Sequence, residues 1–522
     1  MYYFIPSQYG HDRFWQTDII PWYFSFSRLE FDDILHQLRI FRDEEIEARM
    51  ILMPYNPHAR YMQHRQDVLE LETYSIFDAI QDISDVEMMP LHIEDLDWDE
   101  QCDFIHTPFA VVVERQHERY AHIELGSEGF ISKVIYFKNQ QVDKEYFYDD
   151  RGFVSSILYF DEGHPAFRAY LNVKGQWQIL ENQATGVIEV NPEVAHRFQA
   201  QSYERMDDLV WEFFDRFVAE EVEQKDRFII AANPAHNQLL LEHLPEETSK
   251  MMSFFIERNH GDDLASYERI FPKLTVAISD RQDYLKRIQE AYPEYAPLMH
   301  HLPSFDTRLK LGISQRVKES KIFYQVDPTV ETDDEALYEI LKFVSENPLT
   351  NVVFGFFNTD GQTVEAFRER LGTLVSNRLN WKDLLSDPDL HGAENMLLEN
   401  EEDTYRFSLR SYYNESDFVK ELEYTRLIVD LNPQPNLYTQ IAGISAGIPQ
   451  INHMASEYVT HQKNGWIVSE VTELSKAAHY YLDTLKHWNE ALVYSIDKIR
   501  ENTGDRFIAK WESWLKESNS GR

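Results

Sequence analysis

The spacing of hydrophobic positions changes twice along this chain of 522 residues. Between residues 110 and 180, short β-branched and aromatic runs alternate with turns rich in Gly, Asp and Asn. Runs that recur about every ten residues with such turns predict an antiparallel meander. On both sides of it, fully apolar runs of strand length alternate with helical patterns, which is typical of βαβ units in a parallel sheet.

The flanking regions provide the predicted strands and helices. Before residue 305 we predict strands at Tyr2–Ile5, Met50–Met53, Arg227–Ala232 and Leu274–Ser279, and helices around Leu209–Val218 and Gln238–His243. After it we predict strands at Lys321–Val326, Asn351–Asn358, Arg406–Tyr412, Arg426–Leu431, Gln450–Asn452 and Trp466–Val468. The helices predicted there are Ala336–Glu346, Val364–Leu374, Asp417–Tyr424, Tyr438–Ala446 and segments between Leu474 and Lys516.

This order predicts an α/β protein with two Rossmann-like domains and an inserted antiparallel β-rich domain. The first α/β domain is expected at 1–105 plus 200–305, the inserted meander at 106–199, and the second α/β domain with terminal helices at 306–522. Two such domains face each other across a cleft, where ligands favour the carboxyl ends of the strands.

The charge of the chain excludes several classes of function. With 90 acidic and 50 basic residues, the formal net charge is −40, which disfavours a general nucleic-acid binder and broad adsorption to anionic membranes. Cys102 is the single cysteine, so neither an intramolecular disulfide nor a thiolate zinc cluster is expected. The sequence has no secretory signal pattern and no apolar run of membrane-spanning length. We therefore expect a cytoplasmic protein that reaches a membrane only through partners.

The most informative segment is residues 426–468, which reads RLIVDLNPQPNLYTQIAGISAGIPQINHMASEYVTHQKNGWIV. A buried strand, a loop, a helix ending at Gly447 and a short strand after Pro449 follow one another. This succession resembles the C-terminal domain of retaining GT-B glycosyltransferases, whose helix carries two donor-binding glutamates. Counting back from Gly447, those glutamates fall at Gln434 and Ala442. Neither is a carboxylate, and a cationic clamp for a diphosphate is not evident, which argues against donor binding.

Other patterns of catalytic residues are weak. Gly443–Gly447 matches Gly-x-Ser-x-Gly, but it lies in a helical stretch, whereas a nucleophilic serine needs a strand-to-helix turn; Ser445 is therefore disfavoured as a nucleophile. Asp95-Leu96-Asp97 resembles a metal-binding carboxylate pair, yet its acidic surroundings favour a solvated loop. The histidines show no metal-ligand spacing. We predict no catalytic residue, no metal and no cofactor.

A ligand-binding cleft is predicted from the loop after the first strand and from the helix near residue 440. Residues 7–15, which include Tyr9 and Trp15, form either a packed aromatic loop or a surface that stacks on sugar or docks a protein. The candidate cleft or ligand-binding residues are Tyr9, Gly10, His11, Gln434, Tyr438, Thr439, Ala442, Ser445, Gly447 and Gln450.

Three stretches carry a closer resemblance: MYYFIPSQYGHDRFWQTDIIPWY, YFYDDRGFVSSILYF and LYTQIAGISAGIPQINHMASEYV. They resemble the family of the first of the three Asp accessory secretory proteins. The resemblance implies a role in the accessory Sec export of glycosylated serine-rich repeat adhesins. It also implies work with the other two Asp proteins, an accessory SecA ATPase and an accessory SecY channel. The adhesin or its glycans are expected to bind the cleft and to be handed to the ATPase unfolded.

Three functions remain open at this point. The first is a non-catalytic export factor with a GT-B-like scaffold. The second is an active GT-B glycosyltransferase that modifies the adhesin with rearranged catalytic groups, and turnover of a nucleotide-sugar distinguishes it. The third is a purely structural subunit, which tolerates cleft substitutions such as Tyr438→Ala but loses export when partner surfaces change.

Overall fold

The structure is a computed structural model that describes residues 1–9, 15–17, 19, 31–84, 86–89, 91–126, 129–386, 405–413 and 415–520. Its strands are β1 Tyr2–Ile5, β2 Ala48–Leu52, β3 Thr73–Ser75, β4 Cys102–His106, β5 Val111–Arg115, β6 Glu118–Leu125, β7 Ile131–Lys138, β8 Gln141–Asp149, β9 Phe153–Asp161, β10 His164–Leu171, β11 Trp177–Asn182, β12 Ile188–Val190, β13 Ser202–Tyr203, β14 Arg227–Ala231, β15 Ser249–Phe254, β16 Val276–Ser279, β17 Met299–His301, β18 Ser320–Val326, β19 Thr350–Phe357, β20 Phe407–Tyr412, β21 Thr425–Asp430, β22 Gln450–Asn452 and β23 Gly465–Ile467.

The α-helices of the described residues alternate with the parallel strands. They are α1 Asp33–Asp43, α2 Ala59–Arg65, α3 Ile76–Gln81, α4 Met206–Glu221, α5 Asn237–His243, α6 Ile256–Asn259, α7 Gln282–Ala291, α8 Asp334–Glu346, α9 Gly361–Arg378, α10 Glu415–Leu422, α11 Leu437–Ala446, α12 Leu474–Leu482, α13 Leu485–Arg500 and α14 Gly504–Ser520. None of these helices combines the length and the apolar character that crossing a membrane requires.

The strands form three sheets. A seven-stranded sheet has the order β17-β16-β15-β14-β1-β2-β3, and a six-stranded sheet has the order β20-β19-β18-β21-β22-β23. Every pairing in these two sheets is parallel. The ten-stranded sheet runs from β13 to β4 in sequence order, and its pairs are antiparallel. The predicted α/β class, with two parallel sheets and an inserted antiparallel one, is confirmed.

The meander is anchored to the first parallel sheet through α3. The side-chain amide of Gln81 donates to the backbone carbonyls of Ser155 and Leu171, at 2.8 and 2.6 Å. Tyr170 and Ile179 of the meander belong to the apolar core that also contains residues of β1 and α4. The strands that carry Tyr170 and Ile179 therefore pack on the first α/β unit. β4 forms the edge of the inserted sheet opposite β13.

The helix α14 packs on the first parallel sheet, although its sequence follows the second one. Phe507, Ile508, Trp511 and Leu515 are buried in a core shared with α1 and with strands β1 and β2. The division of the chain into 1–105 plus 200–305, 106–199 and 306–522 stays a prediction. The position of α14 places part of residues 306–522 against residues 1–105 plus 200–305.

Most predicted strands and helices are present within a few residues of their expected bounds. The sequence patterns missed β15 in the middle of the first sheet, the short strands β3 and β17, and the helices α1 and α7. The meander has strands on both sides of the runs predicted between residues 110 and 180: β4 precedes them, and β12 and β13 follow.

Candidate functional site

The helix α11 is the element on which most candidate cleft residues lie. Its first turn is capped by Asn436, whose side chain accepts a hydrogen bond from the backbone N–H of Thr439 at 2.9 Å. It ends at Gly447, which has φ +71°, and a Cβ atom at this position would lie 2.2 Å from Leu492 Cδ1. Only glycine fits this left-handed, crowded position. The predicted helix end at Gly447 is therefore confirmed.

A carboxylate of the protein occupies the loop that leads into α11. Asp430, at the end of β21, accepts hydrogen bonds from the backbone N–H groups of Asn432 and Asn436, at 3.1 and 2.7 Å. Burial raises the pKa of Asp430 to about 6, although these hydrogen bonds favour its charged form. Amide groups near the start of a helix can bind a phosphate when they are free. Here a side chain of the protein already uses them.

Beneath α11 lies an ionic group that we call the junction cluster: Arg39, Asp306, Arg308, Glu415 and Tyr438. Asp306 accepts hydrogen bonds from Arg308 Nη2 at 2.6 Å and from the Tyr438 hydroxyl at 2.9 Å. Arg39 Nη2 lies 3.6 Å from the other oxygen of Asp306. Arg308 Nη2 also donates to Glu415 Oε2 at 2.7 Å.

The junction cluster joins the two α/β units. Arg39 lies on α1 of the first unit and donates to the backbone carbonyl of Gln66 at 2.6 Å. Glu415 and Tyr438 lie on α10 and α11 of the second unit. Because two arginines face two carboxylates, the formal charges of the cluster balance. Such pairing is what a buried charge requires.

The environment of Asp306 keeps it ionised. Burial alone raises the pKa of a carboxyl group, but the charge and hydrogen bonds of Arg308 and the charge of Arg39 hold the pKa of Asp306 below its usual range. Burial and the neighbouring carboxylates raise the pKa of the Tyr438 hydroxyl well above its usual value. The tyrosine is therefore a neutral donor to a charged acceptor, an arrangement that strengthens the hydrogen bond.

The other candidate residues on and around α11 have partners inside the protein. Ser445 Oγ accepts from the backbone N–H of Asp306 at 2.9 Å, and Thr439 Oγ1 donates to Gln325 at 3.0 Å. Gln450 Nε2 donates to the carbonyl of Gln440 at 2.9 Å. Ala442 is fully buried in an apolar core. These side chains lie in the packed junction between the units.

The remaining candidates lie apart from this junction. Gln434 is exposed on the loop before α11. Tyr9 donates from its hydroxyl to His236 Nδ1 at 2.7 Å, since His236 Nε2 bonds the Ala231 carbonyl. Its ring packs on Trp15, within the core of the first unit. The described part of this loop thus agrees with the packed alternative, while Gly10 and His11 lie outside the described residues. Ligand binding at the candidate positions stays a prediction.

Two disfavoured catalytic patterns are placed as expected. Ser445 is buried within α11 and does not lie on a strand-to-helix turn. Asp95 and Asp97 are exposed, and Asp95 accepts from the backbone N–H of His92 at 2.7 Å. In the described part of the chain, no three His, Cys, Asp or Glu side chains are arranged to hold a metal.

No pattern in the sequence identifies the charged residues of the junction cluster. Arg39, Asp306 and Glu415 come from separate elements, so no local spacing links them. The pair Asp306 and Arg308 is the nearest to a signal, because opposite charges two residues apart occur in an apolar linker stretch. Exposed linkers carry such pairs often, and the pattern has little specificity.

Comparison with known proteins places the chain in a family. The family model of the first Asp protein of the accessory Sec system matches residues 1–518. The first Asp protein of the accessory Sec system of Streptococcus gordonii is 45% identical over 522 residues, 99% of each chain. A chain in the crystal structure of accessory secretory proteins 1, 2 and 3 of Streptococcus pneumoniae is 43% identical, with a TM-score of 0.91 and 100% of both chains covered.

A more distant likeness concerns the fold alone. The pneumococcal O-GlcNAc transferase GtfA, solved with UDP and GlcNAc, superposes with a TM-score of 0.65 at 13% identity and covers 98–99% of both chains. The GT-B-like arrangement is thereby confirmed, while nothing about activity follows from it. The match over residues 1–518 and the full-length relatives show that the chain belongs to the family of the first Asp protein of the accessory Sec system.

Proposed function

We propose that this chain is a non-catalytic subunit of the accessory Sec export apparatus. It binds the other two Asp proteins and the accessory SecA ATPase in the cytoplasm, and it meets the membrane only through them. Its cargo is a glycosylated serine-rich repeat adhesin. The Streptococcus pneumoniae relative, crystallised with accessory secretory proteins 2 and 3, supports the first of these partnerships.

One observation carries the absence of glycosyl transfer: the two positions that match the donor-binding glutamates hold Gln434, which is exposed, and Ala442, which is fully buried. A buried methyl group in an apolar core neither reaches a donor nor exchanges easily for a carboxylate. The position that matches the second glutamate therefore differs from the enzymes in its burial as well as in its residue type.

The charges around α11 support the same proposal. Transfer from a nucleotide-sugar needs positive charge aimed at the leaving diphosphate. Arg39 and Arg308 are neutralised by Asp306 and Glu415. Asp327 follows β18, and Asp430 is the buried last residue of β21, where it accepts from the backbone N–H of Asn436. Both strand ends carry a carboxylate where a leaving diphosphate needs positive charge.

The proposed activity is therefore binding. The proposed ligand is a glycan or a glycosylated Ser/Thr-rich chain, and Gln434 is exposed on the loop before α11 as a hydrogen-bonding side chain. By holding the adhesin extended, the subunit keeps it competent for the ATPase.

The test measures turnover and binding on one sample. The protein, purified with its two Asp partners, is given UDP-GlcNAc or UDP-Glc and an adhesin Ser/Thr-rich segment, glycosylated or not. We expect no hydrolysis or transfer and clear binding of the glycosylated segment, reduced by Gln434→Ala but not by Gln362→Ala, the matched substitution of another exposed glutamine. Turnover indicates an active enzyme, and loss of all binding leaves only a structural subunit; either result overturns the proposal.

A further inference from the structure

The strand β4 is an edge of the ten-stranded sheet. Among the described residues it pairs with β5 alone. The backbone N–H of Thr107 donates to the carbonyl of Ala110 and so fixes the hairpin register. Since hydrogen-bonded and non-bonded pairs alternate in an antiparallel ladder, Ile105 and Asp103 bond to β5. The backbone N–H and C=O groups of Phe104 and His106 then face outward.

A pocket of about 620 Å³ lies beside this edge, lined by apolar side chains together with two histidines and two carboxylates. Phe104 forms one side of it and is 38% exposed, with its ring 5.5 Å from that of Trp98 in an edge-to-face contact. The apolar side chains that line the rest of the pocket are Leu91, Ile93, Leu96, Leu125 and Ile131. A free strand edge next to apolar pockets for alternate side chains is the geometry used by domains that bind an extended peptide.

The same place is strongly acidic. Residues 91–106 contain no Lys or Arg and carry six carboxylates: Glu94, Asp95, Asp97, Asp99, Glu100 and Asp103. Glu94 and Asp97 line the pocket itself. Arg115 of β5 lies 3.8 Å from Asp99, so part of this charge is offset. The rest faces solvent and attracts cationic side chains.

We infer that β4 is the docking edge for an extended, basic segment of a partner polypeptide, which adds a strand to the ten-stranded sheet. Its backbone bonds to Phe104 and His106, and its apolar side chains enter the pocket on the face of Phe104. The Lys or Arg side chains that alternate with them lie on the opposite face, with Asp103. A second copy of this chain is the disfavoured occupant, because two acidic edges repel each other. The inference stands apart from the proposed function, since its test needs no export component.

The first test uses the full chain and a blocked heptapeptide that alternates Lys with Val, with binding measured by calorimetry. We expect binding at low salt that weakens at least about ten-fold when Glu replaces Lys, because the charge then opposes that of the edge. Backbone N-methylation of one alternate set of residues should abolish binding, while methylation of the other set should not. Equal affinity for all four peptides overturns the proposal.

The second test substitutes the edge. His106→Pro removes an outward N–H without removing a bond to β5, so an edge strand tolerates it; His106→Ala is the matched control that keeps the N–H. We expect binding of the Lys-Val peptide to weaken at least about ten-fold for the proline variant and to change less for alanine. Hydrogen exchange should show slowed amides at Phe104 and His106 on binding.

Two outcomes contradict this picture. If both His106 variants bind the peptide as the unchanged chain does, the edge is not the site. If sedimentation shows a dimer of the free chain that His106→Pro disrupts, the occupant is a second copy and the inferred basic partner is wrong. Should the proline variant fail to fold by circular dichroism, the peptide series on the unchanged chain still decides.

Discussion

The junction cluster and the acidic edge at β4 differ in whether their charges are paired within the protein. At the junction, Arg39 and Asp306 are fully buried, and each arginine of the cluster lies beside a carboxylate. At the β4 edge, carboxylates such as Glu94 and Asp97 stand exposed around the pocket. The first arrangement uses its charges to hold two parts of one chain together. The second leaves them for something outside the chain.

In a protein whose fold resembles that of an enzyme, a ligand-binding site can be judged by whether its polar groups are already bonded within the protein. At the junction the polar groups already bond one another, so a ligand that binds there must replace those hydrogen bonds. At an exposed strand edge the outward backbone groups bond only water, which an added strand displaces.

The largest effect is expected for Asp306→Ala. The substitution leaves Arg39 and Arg308 with one carboxylate between them in a buried site. Removing one partner of a buried pair costs about 3–5 kcal/mol of the free energy of unfolding, and urea denaturation measures it. The control is Glu70→Gln, which removes a partner of Arg42 at an exposed pair 2.7 Å apart. Its midpoint should not change, and equal losses for both variants refute the distinction.

The next effect is expected where the enzyme pattern is restored. Ala442→Glu places a carboxylate and extra volume in a fully buried apolar site. We expect a loss of about 2–4 kcal/mol in the free energy of unfolding, from desolvation and overpacking. Gln434→Glu is the matched change at an exposed position and should leave stability nearly unchanged. Donor turnover by the double variant would show that packing was not the obstacle.

A smaller effect concerns pH and the histidine beside the junction cluster. Burial, and then the charge of Arg39, lower the pKa of His36 to about 3. In the unfolded chain a histidine titrates near a pKa of about 6.5, so the stabilisation from a neutral His36 is complete above that pH and is lost as the pH falls from about 6.5 towards 3. At pH 5 the loss is about 2 kcal/mol.

Denaturation at pH 8 and pH 5 measures this contribution. His36 Nε2 accepts from the backbone N–H of Phe305 at 3.3 Å. His36→Gln keeps an acceptor for that N–H and has no titration in this range. The variant should lose less stability between the two pH values than the unchanged chain. An identical pH dependence contradicts a buried neutral histidine.

The smallest effect is expected at the acidic edge. Glu94→Gln together with Asp97→Asn removes two exposed charges from a run of like charges. Stability should stay constant or rise slightly, because the carboxylates repel one another. Thermal melting measures this, with Asp306→Ala as the contrasting variant. A clear loss of stability would mean that these carboxylates hold the fold together after all.

A hydrophobic pattern predicts the strands that bury runs of apolar residues. It does not predict the strands that also bury polar side chains. β18, β19 and β21 each contain at least three consecutive apolar residues, and the sequence pattern predicts them. β15, Ser249–Phe254, is equally central but contains Ser, Lys and Met. Lys250 is buried there because its ammonium group donates to the backbone carbonyls of Pro245, Glu246 and Thr248. Those carbonyls converge only in the folded chain, so no propensity scale anticipates them.

For the candidate site, too, local sequence patterns predict only part of the structure. The end of α11 at Gly447 and the loss of carboxylates at Gln434 and Ala442 follow from local spacing alone. The partners of Tyr438 do not, since Arg308 and Asp306 lie in the linker between the units. A pattern identifies which residues a helix presents, while the tertiary contacts decide whether that face meets a ligand or the rest of the protein.

The position of α14 on the first sheet has a consequence for biosynthesis. The strands and helices of the first α/β unit leave the ribosome early, but the core they share with Phe507, Ile508, Trp511 and Leu515 closes only when those residues have been translated. Until then an apolar face of the nascent chain stays uncovered, as a surface that chaperones recognise. The strands β1 and β2 and the helix α14 must therefore meet before the first unit is complete.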